Sequence, residues 1–314
     1  MNKGQLLRWV CFLACIPSGG ALLLKVWGLA SMVAGGALFL ACLPILAFAY
    51  GWSLRHDLSL ESALRVGCWG GLAGTVGYDL VRVPFHLYGY RVFAPIQAYG
   101  VWLLDSDCSS GLTEALGWLY HFSNGVTFGI LYALVGSGRH WGWGVLWGLC
   151  LESIILSTPF AHIFHMQGNW PALAIAYGAH VAYGYPLGVI VQRGYDLPHR
   201  FKMLSGLLLG CFLFSSIPME WSKDRRVLPA TLQVEVDTLN PKWVRLTSTT
   251  TVTFFNPGLN PVTVIQPSGK RQLEVEPGTR HNWEFSQTGI YQFYVKTPGR
   301  SISSFVIVDP VEKL

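Results

Sequence analysis

The sequence predicts a polytopic α-helical membrane bundle of about seven spans, followed by a small all-β domain. Hydrophobic residues make up 51% of the chain and charged residues only 12%, about half of the charged fraction that is usual in soluble proteins. Apolar segments of about 20 residues, the length that crosses the hydrocarbon core, recur between residues 6 and 219. After Trp221 the pattern changes to short segments that alternate apolar and polar residues, as half-buried strands do.

The membrane spans are expected in seven apolar segments. They cover residues 6–24, 28–50, 63–86, 113–136, 141–163, 170–192 and 201–219. The stretch 92–104 is apolar but too short to cross, so we expect it to lie along the membrane surface or to re-enter. No A-x-A cleavage site closes the first segment, which we therefore expect to be a retained span rather than a signal peptide.

The loop charges predict the orientation, because cytoplasmic loops carry an excess of Lys and Arg. With a cytoplasmic N-terminus, the inside loops hold Lys3, Arg8, Arg55, Arg65, Arg139, Arg193, Arg200 and Lys202. The outside loops hold Lys25 and Arg91, together with Asp105 and Asp107. An odd number of spans then makes the C-terminal domain extracytoplasmic (periplasmic). We expect a membrane domain at 1–221, a linker at 222–229 and the β domain at 230–314.

Composition also narrows the classes of partner and chemistry. The net charge is +5 and no basic run is present, so we expect no nucleic acid; membrane lipids and other membrane-protein subunits are the expected partners. Six of the seven cysteines lie in apolar segments and only Cys108 lies in a loop, which argues against a disulfide framework. No phosphate-binding loop, G-x-S-x-G elbow or dinucleotide fingerprint occurs.

The C-terminal region has the rhythm of a small β-sandwich. Strand-like segments occur at Leu232–Val236, Thr251–Phe255, Gln272–Val275, Ile290–Val295 and Phe305–Val308. Asn256-Pro257-Gly258 and Pro277-Gly278 are turn signals between them. Short strands at this spacing predict two packed sheets.

The order of these segments resembles a cupredoxin. The resemblance rests on Thr251–Asn256, Val262–Val264, Pro277-Gly278 and Gly289–Tyr294, and covers about a quarter of the chain.

Cupredoxins bind copper through two His, one Cys and a weak Met. The resemblance places the two His at Val262 and Pro298, the Cys at Val295 and the Met near Ser303. All four ligands are therefore missing, and His281 is the domain's only histidine. The resemblance implies a copper-free domain that binds a partner or covers a site.

Ionisable residues within the predicted spans are the candidates for function, because an ionisable group in hydrocarbon costs several kcal/mol unless it is paired or wet. They are Asp79, Arg82 and His86 in the third span, His121 in the fourth, Glu152, His162 and His165 in the fifth, and His180 in the sixth. Asp79 and Arg82 share a helix face and are expected to form a pair. In the predicted orientation most of these residues lie towards the outer leaflet.

Two segments suggest a degenerate tandem repeat of helical hairpins, 63–136 and 141–192. The fourth span reads His121-x-x-x-Gly125-x-x-x-Gly129, and the sixth reads His180-x-x-x-Gly184-x-x-x-Gly188. In the preceding spans, Asp79 and Glu152 each come before a Pro-Phe pair. Glycines four residues apart let helices approach closely, and transporters often place their sites at repeat interfaces.

Four interpretations of the polar residues stay open at this point. His162-x-x-His165 and the other imidazoles and carboxylates could bind a transition metal, and His121 with His180 could bind haem. A proton path, or a pocket for a headgroup or quinone, is the third interpretation. The fourth is that the polar groups only hold helices together.

The first functional hypothesis is a non-catalytic accessory or structural subunit of a membrane complex, with the β domain docking a partner or capping a surface. The alternative is a redox protein, transporter or enzyme that uses the His/Asp/Glu residues.

Overall fold

The structure, a computed structural model, describes residues 3–88, 90, 92–136, 138–164, 166–194, 231–235, 243–247, 250–285 and 289–309. The predicted seventh span at 201–219 and the predicted linker at 222–229 lie outside these residues. The chain divides into two compact units. Residues 89–117 group with the C-terminal strands, and the other helices form the helical unit.

Among the described residues, three helices are long and apolar enough to cross a membrane: Lys3–Val26, Met32–His56 and Trp170–Arg193. The helices in chain order are α1 Lys3–Val26, α2 Met32–His56, α3 Leu58–Leu87, α4 Ala94–Leu104, α5 Gly111–Gly136, α6 Gly142–Leu156, α7 Pro159–Ile163 and α8 Trp170–Arg193. Helix α6 is apolar but has only 15 residues. The length and apolar composition of α1, α2 and α8 are those of helices in a membrane protein.

Side-chain caps fix where several of these helices begin. The Ser31 hydroxyl accepts a hydrogen bond from the Ala34 amide at the start of α2, and Asn169 caps α8 in the same way. Asp57 separates α2 from α3 and accepts from the amides of Ser59 and Leu60. Such caps satisfy amides that have no partner within the helix.

The segment predicted as one fifth span, 141–163, is interrupted in the structure. Helix α6 ends at Leu156 and the short helix α7 begins at Pro159. Proline has no N–H to donate to the preceding turn and its ring clashes with that turn. The Thr158 hydroxyl accepts a hydrogen bond from the Phe160 amide, which starts α7 anew.

Glycines set the spacing and the antiparallel register of two hairpins in the helical unit. In the first, Gly71 of α3 faces the backbone of Gly125 and Val126 of α5. In the second, Gly144 of α6 faces the backbone of Gly184 and Gly188 of α8. A Cβ at either first glycine would overlap with backbone atoms of the other helix, so the close approach requires glycine.

Two further interfaces join these hairpins. Gly70 and Gly74 of α3 lie against Leu187 and Tyr183 of α8. The rings of Tyr132 on α5 and Trp147 on α6 lie 6.2 Å apart. Helices α3, α5, α6 and α8 therefore form a four-helix bundle, in that cyclic order.

The strands form a two-layer β-sandwich within the second unit. They are β1 Thr231–Glu235, β2 Trp243–Thr247, β3 Thr250–Phe255, β4 Val262–Ile265, β5 Gln272–Val275, β6 Arg280–Phe285, β7 Gly289–Thr297 and β8 Arg300–Asp309. One sheet has the order β1-β3-β6 and the other β2-β8-β7-β4-β5; β1/β3 and β2/β8 are parallel and the remaining pairs antiparallel. Phe254 of one sheet meets Phe293 of the other edge to face at 5.4 Å, in a buried apolar core.

Residues 107–109, which follow α4, add a short antiparallel segment to β7. The Ser109 amide donates to the Ile290 carbonyl at 2.7 Å, and the Gln292 amide donates to the Asp107 carbonyl at 2.9 Å. Strand β4 pairs with β7 at residues 294–296, and residues 107–109 pair with residues 290–292 on the same edge.

Candidate functional site

The first part of the candidate site is a buried carboxylate of α3. Asp79 is fully buried, and its two carboxylate oxygens lie 3.0 and 3.1 Å from Nε2 of His121 on α5. Arg82 lies one turn further along α3, with Nη1 3.5 Å from the same carboxylate. The carboxylate therefore faces a guanidinium and an imidazole from two helices.

The second part is a carboxylate of α6. Glu152 is 4% exposed, and its Oε2 lies 3.1 Å from Nδ1 of His180 on α8. The same nitrogen lies 3.0 Å from the carbonyl oxygen of Ala176. Because a carbonyl can only accept, Nδ1 of His180 carries a hydrogen and donates it.

Tyr78 joins the two parts into one site. Its ring centroid lies 5.7 Å from that of His121 and 4.8 Å from that of His180. The Arg82 guanidinium carbon lies 4.7 Å from the same centroid, within the range of a cation–π interaction. We call Tyr78, Asp79, Arg82, His121, Glu152 and His180 the central cluster.

The two His–carboxylate pairs occupy equivalent positions in the two hairpins. Asp79 follows Gly71 by eight residues, and Glu152 follows Gly144 by eight. His121 precedes Gly125 by four residues, and His180 precedes Gly184 by four. Because the glycine contacts fix the antiparallel register, each carboxylate comes level with the histidine of its hairpin partner.

A second group of polar contacts holds α5 against α1. The Tyr120 hydroxyl donates to the Ser18 carbonyl at 2.5 Å, and the Ser18 hydroxyl donates to the Asn124 side chain. Tyr120 and Asn124 lie one turn apart on α5. These bonds limit the rotation of the helix that carries His121.

The remaining sequence candidates lie elsewhere or outside the described residues. His86 is half-buried in the last turn of α3. His162 lies on α7, but its side chain and the whole of His165 are not among the described residues. Of the side chains that the structure does describe, no three or more His, Cys, Asp or Glu are grouped so as to hold a metal ion.

The positions where the cupredoxin resemblance places copper ligands carry no ligand group suited to copper. Val262 and Val295 are buried in the apolar core of the sandwich. Pro298 lies in the turn between β7 and β8, and Ser303 lies opposite Tyr294 in the β7–β8 pair. His281 lies on β6 opposite Phe254.

The loop after α4 contains a second polar group, within the other unit. Asp105 has a left-handed backbone (φ 46°), and its Oδ1 accepts hydrogen bonds from the Gln292 amide group at 2.7 Å and the Tyr294 hydroxyl at 2.6 Å. The Asp107 carboxylate accepts from the amide and the hydroxyl of Ser268. Burial, and then the hydrogen bond to Asp105, raise the pKa of Tyr294. These contacts fasten the loop to the sandwich.

Sequence reasoning missed Tyr78, the residue between the two histidines, and the bonding of Tyr120 to α1. Their positions in the sequence could have indicated them, because Tyr78 directly precedes Asp79 and Tyr120 directly precedes His121. A comparison of the chain with known protein families and with curated proteins gives no match.

Proposed function

We propose that this protein is a membrane transporter that translocates protons, with the central cluster as its proton-binding centre. One observation carries the proposal. The two His–carboxylate pairs, Asp79–His121 and Glu152–His180, occupy equivalent positions in two hairpins and meet around Tyr78. Repeat-built transporters bind their substrates and coupling ions at such an interface.

The chemistry of the groups favours a proton over the other ligands considered. Imidazole and carboxylate groups exchange protons near physiological pH when burial and neighbours adjust them. Each imidazole in the central cluster already bonds a carboxylate, and Arg82 adds a fixed positive charge that would repel a metal cation. Chains of Asp, Glu and His within membranes are typical of proton relays.

The finer architecture belongs to the same proposal. Seven spans with a cytoplasmic N-terminus would place the sandwich outside the cytoplasm, and the apolar helices α1, α2 and α8 support the membrane part. The two-sheet arrangement with parallel β1/β3 and β2/β8 pairs supports the cupredoxin-like assignment. The equivalent glycine contacts of the two hairpins support the tandem repeat.

A liposome assay tests the function. The purified full chain is reconstituted with a trapped pH indicator, and an acid step is applied outside. We expect faster internal acidification than in empty liposomes, and loss of that excess in a Glu152→Gln variant. His140→Gln, which changes an exposed loop histidine, is the matched control and should keep it. A wild-type rate equal to that of empty liposomes would overturn the proposal.

A second candidate function concerns the sandwich, which would dock a partner subunit as an accessory module of a membrane complex. Two features support it: Val262 and Val295 stand where copper ligands would be, and Leu259 is 93% exposed in the loop between β3 and β4.

Purification in mild detergent tests this second function. We expect a partner to co-purify with the wild type. Leu259→Ser should weaken its binding, whereas Asn260→Ser, at the exposed neighbouring residue, should leave its binding unchanged. A monodisperse monomer without a partner would speak against it.

A further inference from the structure

We infer that the two equivalent pairs of the central cluster have different roles: Glu152 carries the translocated proton, whereas Asp79 stays ionised as a fixed anion that positions Arg82 and His121. This inference rests on the proposed function. It assigns the proton to one carboxylate of a site that is built from two.

The charge around Asp79 favours its ionised form. Its carboxylate faces Arg82, whose guanidinium remains protonated in proteins, and both of its oxygens face Nε2 of His121. With Asp79 ionised, its carboxylate can only accept, so Nε2 of His121 carries a hydrogen and donates it. Protonating Asp79 would remove the negative charge that a buried guanidinium faces, which is costly.

The two hairpins differ in the charge that follows the carboxylate. Arg82 follows Asp79 by three residues, and the residue at the same distance after Glu152 is Ile155. Helix α6 therefore carries no fixed cation at the equivalent position. Glu152 is 4% exposed, and desolvation favours the neutral form of a carboxyl group.

His180 holds its Nδ1 hydrogen through a backbone contact. Its Nδ1–H donates to the Ala176 carbonyl and towards Oε2 of Glu152. The backbone carbonyl keeps the hydrogen on this nitrogen whether Glu152 is ionised or neutral. His180 can therefore stay neutral through the cycle and support Oε2 in both states, while the proton binds and leaves at the other carboxyl oxygen.

These assignments fix the charge of the cluster and the number of protons. Asp79 and Arg82 cancel, so the empty cluster has the single negative charge of Glu152, and binding one proton makes it neutral. Among the described residues, the ionisable groups that act on this carboxyl group are Tyr78 and Arg82 from α3 and His180 from α8, and His121 from α5 in turn acts on His180. A second proton, on His121 or His180, would leave an uncompensated buried positive charge, which is unfavourable. One proton per cycle follows.

Infrared difference spectroscopy of the full chain in lipid tests the assignment, as the pH is lowered through the range in which such groups titrate, from about 8 to 5. We expect a protonated-carboxyl band that disappears in Glu152→Gln. Glu61→Gln, which changes a glutamate paired with Arg65, is the matched control and should keep the band. The double variant Asp79→Asn/Arg82→Gln removes one negative and one positive charge and so leaves the net charge unchanged. The protonated-carboxyl band should therefore remain in this variant as well.

The possible results separate this inference from the proposed function. Absence of the band in the wild type, its survival in Glu152→Gln, or its loss in a folded Asp79→Asn/Arg82→Gln protein would each overturn the assignment of the proton. If the double variant does not fold, as judged by gel filtration, Asp79→Glu keeps the charge and must keep the band. A titrating Glu152 without proton flux in liposomes would overturn only the proposed function.

Discussion

At the scale of single residues, Asn256 shows how one side chain organises a loop. It is fully buried, its amide group donates to the carbonyls of Asn260 and Val275, and its oxygen accepts from the Gly258 amide. The bond to the Val275 carbonyl is buried and the other two are partly buried, and two of the three satisfy backbone carbonyls. The loop that presents Leu259 therefore depends on this residue.

We predict that Asn256→Ala destabilises the sandwich by about 2–3 kcal/mol, because buried partners lose their hydrogen bonds. Hydrogen exchange of residues 250–285 in the full chain would measure the loss as faster exchange. Asn260→Ala is the matched control, since Asn260 takes part through its backbone and its side chain is exposed. Equal effects of the two variants would contradict this role.

Asp57 carries a pH dependence of known sign. The Asp57 carboxylate accepts a hydrogen bond from the Ser59 hydroxyl, and this bond is the main reason that the pKa of Asp57 is lowered. The Leu60 amide and the charge of Arg8 lower it further. A lowered pKa stabilises the fold above the unfolded value of about 3.9, and this stabilisation is lost as the pH falls through the folded value.

We therefore predict that Asp57→Ala costs about 1 kcal/mol at neutral pH, as the loss of a helix cap does. In detergent, the difference in melting temperature from the wild type should shrink as the pH falls below about 4. Asp57→Ser is the control, because it keeps a capping hydroxyl without the carboxylate; its stability relative to Asp57→Ala should therefore stay constant across the acid range. A constant difference between Asp57→Ala and the wild type across the acid range would contradict the prediction.

Only part of the central cluster could be predicted from the sequence, for a physical reason. Asp79 with Arg82 could be expected because residues three apart share a helix face. The meeting of His121 with Asp79, and of His180 with Glu152, depends on helix register, which the glycine contacts set in three dimensions. The place of Tyr78 depends on a third helix packing against α3, and spacing along the chain does not report that.

At the scale of elements, close helix contacts are the main structural device of the helical unit. We predict that Gly71→Ala lowers stability by about 1–3 kcal/mol, the usual cost of overpacking, because its Cβ would lie 2.9 Å from the Val126 Cα. The melting temperature in detergent measures it.

The control for this prediction is Gly51→Ala on α2. Nothing lies within 4 Å of a Cβ at Gly51, so this substitution should be neutral, or stabilising by up to about 1 kcal/mol through helix propensity. An equal loss of stability in both variants would show that the close α3–α5 contact is not the reason that Gly71→Ala is destabilising.

Elements were predictable where apolar length or alternation is strong. The helices α1, α2 and α8 and the strands β3, β5, β7 and β8 overlap the expected segments. The break between α6 and α7 depends on Pro159 and the Thr158 cap, which a hydropathy average does not register. The added segment at residues 107–109 depends on an edge of β7 that only the folded sheet exposes.

The loop after α4 provides an element-scale prediction. Tyr294→Phe removes a hydroxyl that donates to the Asp105 carboxylate, and bonds to charged groups contribute about 1.5–3 kcal/mol. We expect Cys108, whose backbone pairs with Tyr291, to react about tenfold faster with a maleimide, the factor that corresponds to 1.4 kcal/mol.

A control variant and the pH dependence distinguish the loss of this hydrogen bond from a general change in the fold. Tyr88→Phe changes an 81% exposed tyrosine and should leave the reaction rate of Cys108 unchanged. Because the pKa of Tyr294 is raised, its hydroxyl contributes fully below about pH 10 and loses this contribution as the pH rises through the folded value. The increase in the reaction rate of Cys108 caused by Tyr294→Phe should therefore be constant near neutral pH. An increase that becomes smaller within that range would contradict the prediction.

At the scale of the whole molecule, the threading of the chain through the membrane joins the two proposals. Flanking cations choose the direction in which apolar helices insert, and each added span reverses the side of everything that follows. With seven spans and a cytoplasmic N-terminus, the loop after α5 is expected inside the cell and the sandwich outside it.

We predict that a membrane-impermeant maleimide labels Leu259→Cys on intact cells and labels Arg139→Cys only after permeabilisation, both in a Cys108→Ser background. Leu259 is 93% exposed and Arg139 lies in the exposed turn between α5 and α6, so both thiols are open to reagent on their own side. The apolar surroundings of the cysteines on spans keep them from an impermeant reagent, because it stays in water. Labelling of both sites on the same side would show an even number of crossings between them, and reversed labelling would show an extracytoplasmic N-terminus.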